Sequence, residues 1–359
     1  MLKKIALIIF AATLALSFAA CDIQETAFSS DDVQVSSGLY MYYMFSAYME
    51  AANKQTDTTV DLLKTTIEDT SAKDWIKNKA KDYATEYITI EKKFAELELA
   101  FTEEELSSIP QNASMQYQQY QQYYAMNGIS ERSYYAYAKN LSKKQKVFES
   151  IYAEDGTKAI AEDELKKFFS EKYALTTEFS FAKTDDEGNL LDEAKKAEVK
   201  TKAEGYAKRI RDGENIEKII VEQRNEKAKA EAEAAGTEAP PAEEVDEDAN
   251  SSIVISNIEV SEDEPVSQKI TNIFEKVAIG TIGVVEDDDA YYVVKRDDIL
   301  KAEGKYDENK NKVMYDIKGD EFEETVKSWG AEVKIKTDNR IIKKYSADKI
   351  KTNDPQAQY

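Results

Sequence analysis

Two kinds of residue in this chain could do chemistry: a single thiol and many carboxylates. Cys21 is the only cysteine among 359 residues, and histidine is absent. Without an imidazole there is no Ser-His-Asp or Cys-His machinery, no imidazole metal site and no imidazole proton shuttle. The 70 acidic residues leave carboxylate chemistry open, but in such number most are expected on solvated helix faces. No glycine-rich phosphate loop occurs either, so we assign no catalytic residue, cofactor or metal ligand.

The segment before Cys21 is typical of a secretory signal peptide. Lys3 and Lys4 precede an apolar run of 16 residues from Ile5 to Ala20. A spanning helix needs roughly 20 apolar residues, so this run is too short to cross a bilayer. A charged start, a short apolar stretch and small residues before a cleavage point predict a removable leader over residues 1–20.

The residues that end this leader, Phe18-Ala19-Ala20-Cys21, resemble the lipobox of bacterial lipoproteins. The resemblance implies that the thiol of Cys21 is acylated and that the chain is cut just before it. The lipid would then hold the protein on the extracytoplasmic face of the cell membrane. Phe18 stands where that family usually has leucine. The alternative is a secreted protein in which Cys21 has no such role.

Charge limits the partners that the chain can have. It carries 48 basic and 70 acidic residues, a formal net charge of −22. A chain this acidic is repelled by nucleic acid and by anionic lipid headgroups. We therefore expect no nucleic-acid partner, and membrane contact only through the lipid on Cys21. Unfolded or nascent secreted polypeptides that are neutral or basic fit this charge, while the oligomeric state stays open.

The first half of the mature chain is predicted to be helical. Residues 21–37 are polar and are expected to form a flexible, lipidated tether. Over residues 38–173 glycine and proline are rare, and apolar residues recur at helical spacing, for example in 75–101. Thr102 and Glu105 fit a capping box at the start of a further helix.

The pattern changes after residue 173. The predicted elements are, in order, a strand over 176–183, helices over 192–211 and 215–229, an insertion over about 230–250, a strand over 253–260, a short helix around Ile273 and a hairpin over 280–296. The insertion is acidic and contains Pro240-Pro241, so it cannot bury enough apolar surface to order itself and is predicted to be disordered. Residues 302–359 are predicted to hold an amphipathic helix through Phe322 and Trp329, followed by a disordered tail.

This order of elements resembles the parvulin domain of peptidyl-prolyl isomerases, which has an FKBP-like βααβαββ fold. The segments that carry the resemblance are Phe179-Ser180-Phe181, Gly213-Glu214-Asn215-Ile216, residues 278–283 and residues 291–295. The junction at 161–169 and the helical region before it resemble PrsA- and SurA-type foldase lipoproteins. The resemblance implies an α+β protein with three parts: a mostly helical chaperone lobe over 38–173, a parvulin-like domain over 174–301, and a segment over 302–359 that packs on the lobe.

Parvulin active sites pair histidines from the first and last strands beside a groove for the proline ring. Here the resemblance puts Tyr292 at the last-strand position and Phe179 within a residue of the first-strand position, with Phe181 and Phe274 as further groove candidates. Since no histidine is available, the resemblance implies a domain that binds peptides without efficient catalysis. An apolar pocket can still lower the barrier of about 18–20 kcal/mol without proton transfer. An active isomerase with an atypical, histidine-free site is therefore the alternative.

Tyrosine is used heavily, with 22 residues concentrated at 40–48, 117–124 and 134–137. Tyr117, Tyr120 and Tyr124 share one helical face and are separated by glutamines, so we predict that they are exposed and bind client segments. Tyrosine supplies apolar area at little entropic cost and tolerates water at its hydroxyl. At 40–48, where methionine and phenylalanine interleave, the rings are instead expected to fill the seams between helices.

These observations lead to three hypotheses of different classes. The first is a membrane-anchored chaperone or foldase that holds newly secreted polypeptides. The second is a working prolyl isomerase of the parvulin type. The third, a solute-binding or adhesion lipoprotein, would require two α/β lobes or repeated β modules, and the sequence shows neither.

Overall fold

The computed structural model describes residues 25–352, apart from residues 58, 186, 245, 247–250 and 260–264. Cys21, the expected leader and the expected tail after residue 352 lie outside the described residues. The chain divides into two compact units: unit 1 holds residues 25–159 and 318–352, and unit 2 holds residues 160–317. The division falls before the boundary predicted at 173/174 because the helix that leads into the first strand of unit 2 packs with that strand.

Unit 1 opens with a β-hairpin made of β1 (Thr26–Ser30) and β2 (Val33–Ser36). Phe28 pairs with Val35 in the ladder, and these side chains are 2% and 0% exposed. The expectation of a flexible tether over 21–37 is therefore wrong for residues 25–36. A short segment that is mostly polar still forms a strand when its few apolar residues can be buried by the rest of the unit.

Helices make up most of the rest of unit 1. In chain order the next elements are α1 (Ser37–Asn53), β3 (Thr66–Ile67), β4 (Thr70–Ser71), α2 (Ala72–Glu96), α3 (Glu103–Gln119), α4 (Gln121–Met126) and α5 (Glu131–Tyr152). α1 is apolar on every side over residues 37–44, all of which are buried, as expected of a central helix. The predicted capping box of Thr102 and Glu105 is confirmed at the start of α3.

Unit 2 contains one four-stranded sheet. Its elements are, in chain order, α6 (Glu162–Lys172), β5 (Tyr173–Ala182), α7 (Glu193–Arg211), α8 (Ile216–Ala235), β6 (Ile253–Ser256), α9 (Gln268–Lys276), β7 (Thr281–Glu286) and β8 (Ala290–Asp297). The strands lie in the order β6-β5-β8-β7, and every neighbouring pair is antiparallel. The βααβαββ order predicted from the sequence, and with it the α+β class, is confirmed.

The acidic insertion is more ordered than its composition predicts. α8 continues to Ala235 and ends at Gly236, which has the positive φ of 64° that favours glycine at a helix end. Disorder over 230–235 is therefore a wrong expectation, since the alanine, glutamate and lysine of this stretch are strong helix formers. Further on, the side chain of Asn225 bonds both the N–H (2.7 Å) and the C=O (3.0 Å) of Glu243. This contact brings the chain back to α8.

The last elements return to unit 1. α10 (Lys305–Glu332) has its first residues in unit 2 and its residues from Lys318 in unit 1. It is followed by β9 (Lys336–Thr337), which pairs with β1, and by α11 (Asn339–Lys344). Within unit 1, Phe322 is fully buried, 5.2 Å from the ring of Phe148. Among the described residues, no helix has the length and apolar character needed to cross a membrane.

Candidate functional site

The predicted groove residues of β5 lie in the core of unit 2. Successive residues of a strand point to opposite faces of the sheet, and Phe179 and Phe181 both face α7. Their ring centroids lie 6.0 and 5.3 Å from that of Tyr206, and both residues are only 8% exposed. The expectation that Phe179 and Phe181 line a peptide groove is wrong, because the helices that follow β5 cover this face.

Tyr292 lies on the opposite face of the sheet. α9 covers part of that face, where Ile273 packs against Val294. Tyr292 is half-buried beside this cluster, and the Lys269 Nζ lies 4.8 Å from its ring centroid. Ser180, which pairs with Tyr292 across the ladder, is exposed. Tyr292 and Ser180 therefore form a corner of the sheet that solvent can reach.

The guanidinium of Arg296 covers one face of the Phe274 ring. The Cζ of Arg296 lies 4.5 Å from the Phe274 ring centroid, and its Nη1 donates to the carbonyl of Val277 at 3.0 Å. Arg296 is 6% exposed, and burial lowers its pKa because the charged form loses hydration. The aromatic face and the carbonyl oxygen offset part of that cost. Phe274 thus stabilises a buried cation, and the structure does not bring the four groove candidates together.

The sequence did not predict the ion pair that lies beside Tyr292. Glu178 of β5 and Lys269 of α9 lie 2.5 Å apart, with side chains only 15% and 22% exposed. The available signal was Glu178 itself, the one charged residue of the strand Tyr173–Ala182. Lys269 binds Oε1 of Glu178, whereas Oε2 of the same carboxylate is buried without a hydrogen-bond partner. Burial raises the pKa of Tyr292, which keeps its hydroxyl neutral. This face can donate hydrogen bonds to a peptide but offers no imidazole-like proton shuttle.

The three tyrosines predicted to bind clients do not form one exposed face. Tyr117 and Tyr124 are each 7% exposed and stack at 5.5 Å, whereas Tyr120 is 48% exposed. The Tyr117 hydroxyl donates to the carbonyl of Ile129 at 3.0 Å. The expected exposure is wrong for Tyr117 and Tyr124, because the helix breaks at Tyr120 between α3 and α4. The rings on either side of the break turn into the core.

The tyrosines of α1 fill the seams between helices, as predicted. Tyr40, Tyr42 and Tyr43 are buried. The Tyr42 ring lies edge-on to Tyr124 at 5.8 Å and to Tyr134 at 5.5 Å. α1 and the helices around it are therefore joined by one aromatic cluster.

A solvent-open pocket of about 360 Å³ lies against this cluster. Its lining is Phe45, Met49, Tyr120, Tyr123, Tyr124 and Thr352. Met49 and Tyr120 are 42% and 48% exposed, so they form its rim. Phe45 meets the buried Tyr124 edge-on at 6.0 Å and forms part of its floor. The sequence pointed to Tyr120 and Tyr124 but missed the wall contributed by α1, which lies far away along the chain.

A second cleft in unit 1, of about 480 Å³, lies between α2 and the last part of α10. Two carboxylates of its wall are already paired: the Lys144 Nζ binds Glu86 at 2.7 Å and Glu323 at 2.9 Å. Burial opposes the charge on Lys144, but the two carboxylates outweigh it and raise the lysine pKa. We regard this cleft as a packing feature. Among the residues that the structure describes, no cluster of acidic residues could hold a metal ion.

Neither family models nor curated proteins match this chain. Solved structures do match it. Foldase protein PrsA from Streptococcus pneumoniae aligns with a TM-score of 0.34 and 16% identity, over 79% of this chain and 90% of that one. Foldase protein PrsA from Lactococcus lactis aligns with a TM-score of 0.35 and 12% identity, over 89% of this chain and 99% of that one. Similarity this weak is no evidence of activity, which has to come from the residues themselves.

Proposed function

We propose that this protein is a lipid-anchored, extracytoplasmic chaperone that holds unfolded secreted polypeptides. The observation that carries the proposal is the open pocket rimmed by Met49 and Tyr120. Exposed apolar surface that is shaped into a pocket usually marks a place where another molecule binds. Methionine and tyrosine suit clients of many sequences, because the first is flexible and the second tolerates partial hydration.

The charge of the chain favours this use of the pocket. A net charge of −22 keeps a protein with exposed apolar surface soluble and apart from its own copies. The same charge attracts basic client segments over distances of about a Debye length, roughly 8 Å at physiological salt. We therefore expect preferred clients to combine apolar or aromatic side chains with nearby lysine or arginine.

An aggregation assay with a matched pair of variants tests the proposal. Met49→Glu places a charge on the pocket rim, whereas Met115→Glu makes the same change on α3, where Met115 is 64% exposed and lies outside the lining. We expect the wild-type protein and Met115→Glu to suppress aggregation of reduced lysozyme, a basic client, at stoichiometric ratio. Met49→Glu should need a several-fold higher concentration. Failure of the wild-type protein to suppress aggregation would overturn the proposal. Equal effects of the two variants would show that the pocket is not where clients bind.

We propose that unit 2 binds peptides without efficient isomerase catalysis. The support is local: the half-buried Tyr292 carries a phenol where the parvulin resemblance implies an imidazole, and the nearby Glu178 is paired with Lys269. The second candidate function is a histidine-free prolyl isomerase, which the accessible corner of Tyr292 and Ser180 favours. A refolding reaction limited by proline isomerisation decides between them, since its uncatalysed phase lasts about 10–100 s and is easily followed. Acceleration by the wild-type protein that is lost in Tyr292→Ala would establish the isomerase.

The membrane anchor is proposed from the lipobox-like residues before Cys21. Cys21→Ser removes the only thiol and leaves the rest of the chain intact. We expect this variant to move from the membrane fraction to the soluble extracytoplasmic fraction, while keeping its activity against aggregation. Retention in the membrane fraction would show that something other than Cys21 holds the protein there.

A further inference from the structure

β7 forms one edge of the sheet in unit 2, and its register shows which backbone groups face outward. Gly280, with φ of 77°, donates its N–H to the carbonyl of Arg296 at 2.7 Å, while Thr281 pairs with the same residue. Gly280 and Thr281 thus both lie opposite Arg296. A bulge of this kind with glycine in the first position is a β-bulge of the G1 type. The Thr281 N–H donates to the Ala278 carbonyl at 3.1 Å, while the Thr281 carbonyl and the backbone groups of every second residue after it face β8. The backbone groups of Ile282, Val284 and Glu286 therefore point away from the sheet.

Side chains occupy the two ends of this edge. Arg211 Nη1 donates to the Ile282 carbonyl at 3.3 Å, and Asn272 Nδ2 donates to the Glu286 carbonyl at 2.7 Å. Both contacts agree with the outward direction derived from the bulge. Between them, the N–H and C=O of Val284 have no hydrogen-bond partner among the described residues. The edge thus presents one complete donor–acceptor pair, bordered by the exposed side chain of Arg211 and by the buried Asn272.

The edge is held in strand form, and its protection is confined to the Arg211 and Asn272 contacts at its two ends. Ile282 and Val284 pack their side chains on the core under α7, and Val285 is buried on the α9 side. Natural edge strands are commonly blocked by proline, by lysine, or by a bulge in the middle of the strand. β7 reads Thr-Ile-Gly-Val-Val-Glu, with its bulge at the start and neither proline nor lysine inside. Residues 283–285 contain neither proline nor a charged side chain that would discourage another strand from pairing there.

We propose that an extended segment of a client polypeptide adds to β7 as a fifth strand and hydrogen-bonds both backbone groups of Val284. This inference rests on the proposed function, because unfolded clients supply extended backbones with unmet hydrogen-bonding groups. A second copy of this chain is the less favourable occupant, since each copy carries a net charge of −22. The exposed Asp288 and Asp289, in the turn after β7, favour a client with lysine or arginine at that end.

The binding test uses a peptide probe and the amide of Val284. The peptide Lys-Val-Thr-Val-Thr-Val-Lys is added to the full chain labelled with ¹⁵N-valine. A copy of the peptide with N-methyl groups on two adjacent central residues is the control, because each of its edges loses a central donor and carries a methyl group that keeps a neighbouring strand away. We expect the first peptide to shift the Val284 resonance and to slow its hydrogen exchange at least tenfold, and the methylated copy to do neither. Equal binding of the two peptides would overturn the inference.

A second test changes the backbone donor of the protein instead of that of the peptide. Val284→Pro removes the outward N–H, but it removes no ladder bond to β8, because residue 284 points away from that strand. Val284→Thr keeps the N–H and is the matched control. We expect at least tenfold weaker peptide binding for Val284→Pro and little change for Val284→Thr, with similar melting temperatures for both. If Val284→Pro does not fold, the methylated peptide still decides the question.

Two further outcomes have defined meanings. Protection of Val284 that rises with protein concentration in the absence of peptide would overturn the inference in favour of a second copy at the edge. Absence of peptide binding at β7 in the wild-type protein, with aggregation suppression intact, would overturn the inference alone. The proposed function fails separately, through the aggregation assay and the Met49→Glu variant.

Discussion

The ring of Tyr124 stacks on the ring of Tyr134, with centroids 5.3 Å apart and planes inclined by 28°. Tyr124 belongs to the short helix α4 and Tyr134 to α5, so the stack fastens α4 to the core of unit 1. The Tyr134 hydroxyl also donates to Gln116 Oε1 of α3 at 2.9 Å. Because Tyr124 is part of the pocket lining, the shape of the pocket depends on a side chain that does not itself reach the pocket.

Tyr134→Ala should therefore lower the free energy of unfolding by about 3–4 kcal/mol, the range for removing a buried aromatic ring. Tyr120→Ala is the control, since Tyr120 is 48% exposed and should cost less than about 1 kcal/mol. Urea denaturation followed by circular dichroism measures both. Similar losses for the two variants would mean that the tyrosine cluster does not carry the stability assigned to it.

The hairpin of residues 25–36 should contribute to the stability of unit 1. Phe28 is 2% exposed and meets Tyr40 edge-on at 5.3 Å, so Phe28→Ala should cost about 3–4 kcal/mol in urea denaturation. Gln34→Ala, at an exposed position of the same hairpin, should change stability by about 0.5 kcal/mol or less. A flexible tether would give no difference between the two variants.

Gly330 allows α10 to approach α2 closely. A Cβ at this position would lie 3.3 Å from the Thr85 Cγ2 and 3.4 Å from the Thr89 Oγ1. Gly330→Leu should lose about 1–3 kcal/mol to overpacking and gain about 0.5–1 kcal/mol of helix propensity, a net destabilisation of up to about 2 kcal/mol. Gly205→Leu in α7 is the matched control, since nothing lies within 4 Å and the helix should gain about 0.5–1 kcal/mol. Thermal melting of the two variants should move in opposite directions, and a rise for both would contradict the close approach.

Alkaline pH should destabilise unit 1 through its buried tyrosines. Burial raises the pKa of Tyr40 to about 12, and burial together with neighbouring tyrosines raises that of Tyr124 to about 12. An unfolded tyrosine has a pKa of about 10. Between about pH 10 and 12 the unfolded chain loses protons that the folded chain keeps, so the unfolded state binds fewer protons and stability falls as the pH rises.

Phenolate absorbance and melting temperature, recorded together against pH, check this expectation. Exposed tyrosines should titrate near pH 10, while the buried ones should titrate only as the protein unfolds. Titration of every tyrosine near pH 10 with an unchanged melting temperature would contradict the burial of Tyr40 and Tyr124.

Local pattern was enough to predict the elements of unit 2 and their order. The alternation at Phe179 and Phe181, the helical stretches after it and the final hairpin are short-range signals, and they predicted a βααβαββ arrangement that the structure confirms. The capping box of Thr102 and Glu105 is equally local, because both groups lie within one helical turn. The absence of histidine is a fact of composition that no fold could change.

Exposure was decided only by the tertiary structure. Tyr117 and Tyr120 have the same neighbours in sequence, yet one is buried and the other exposed, because a helix break and rings from α1 and α5 determine which side is covered. Phe28 is buried because distant segments enclose it, and Val284 has an outward edge because β7 is last in the sheet. Whether a side chain or a backbone group meets water depends on contacts between residues far apart in the chain. The sequence by itself therefore determined which elements form and which chemistry is missing, and the fold determined where this protein can bind.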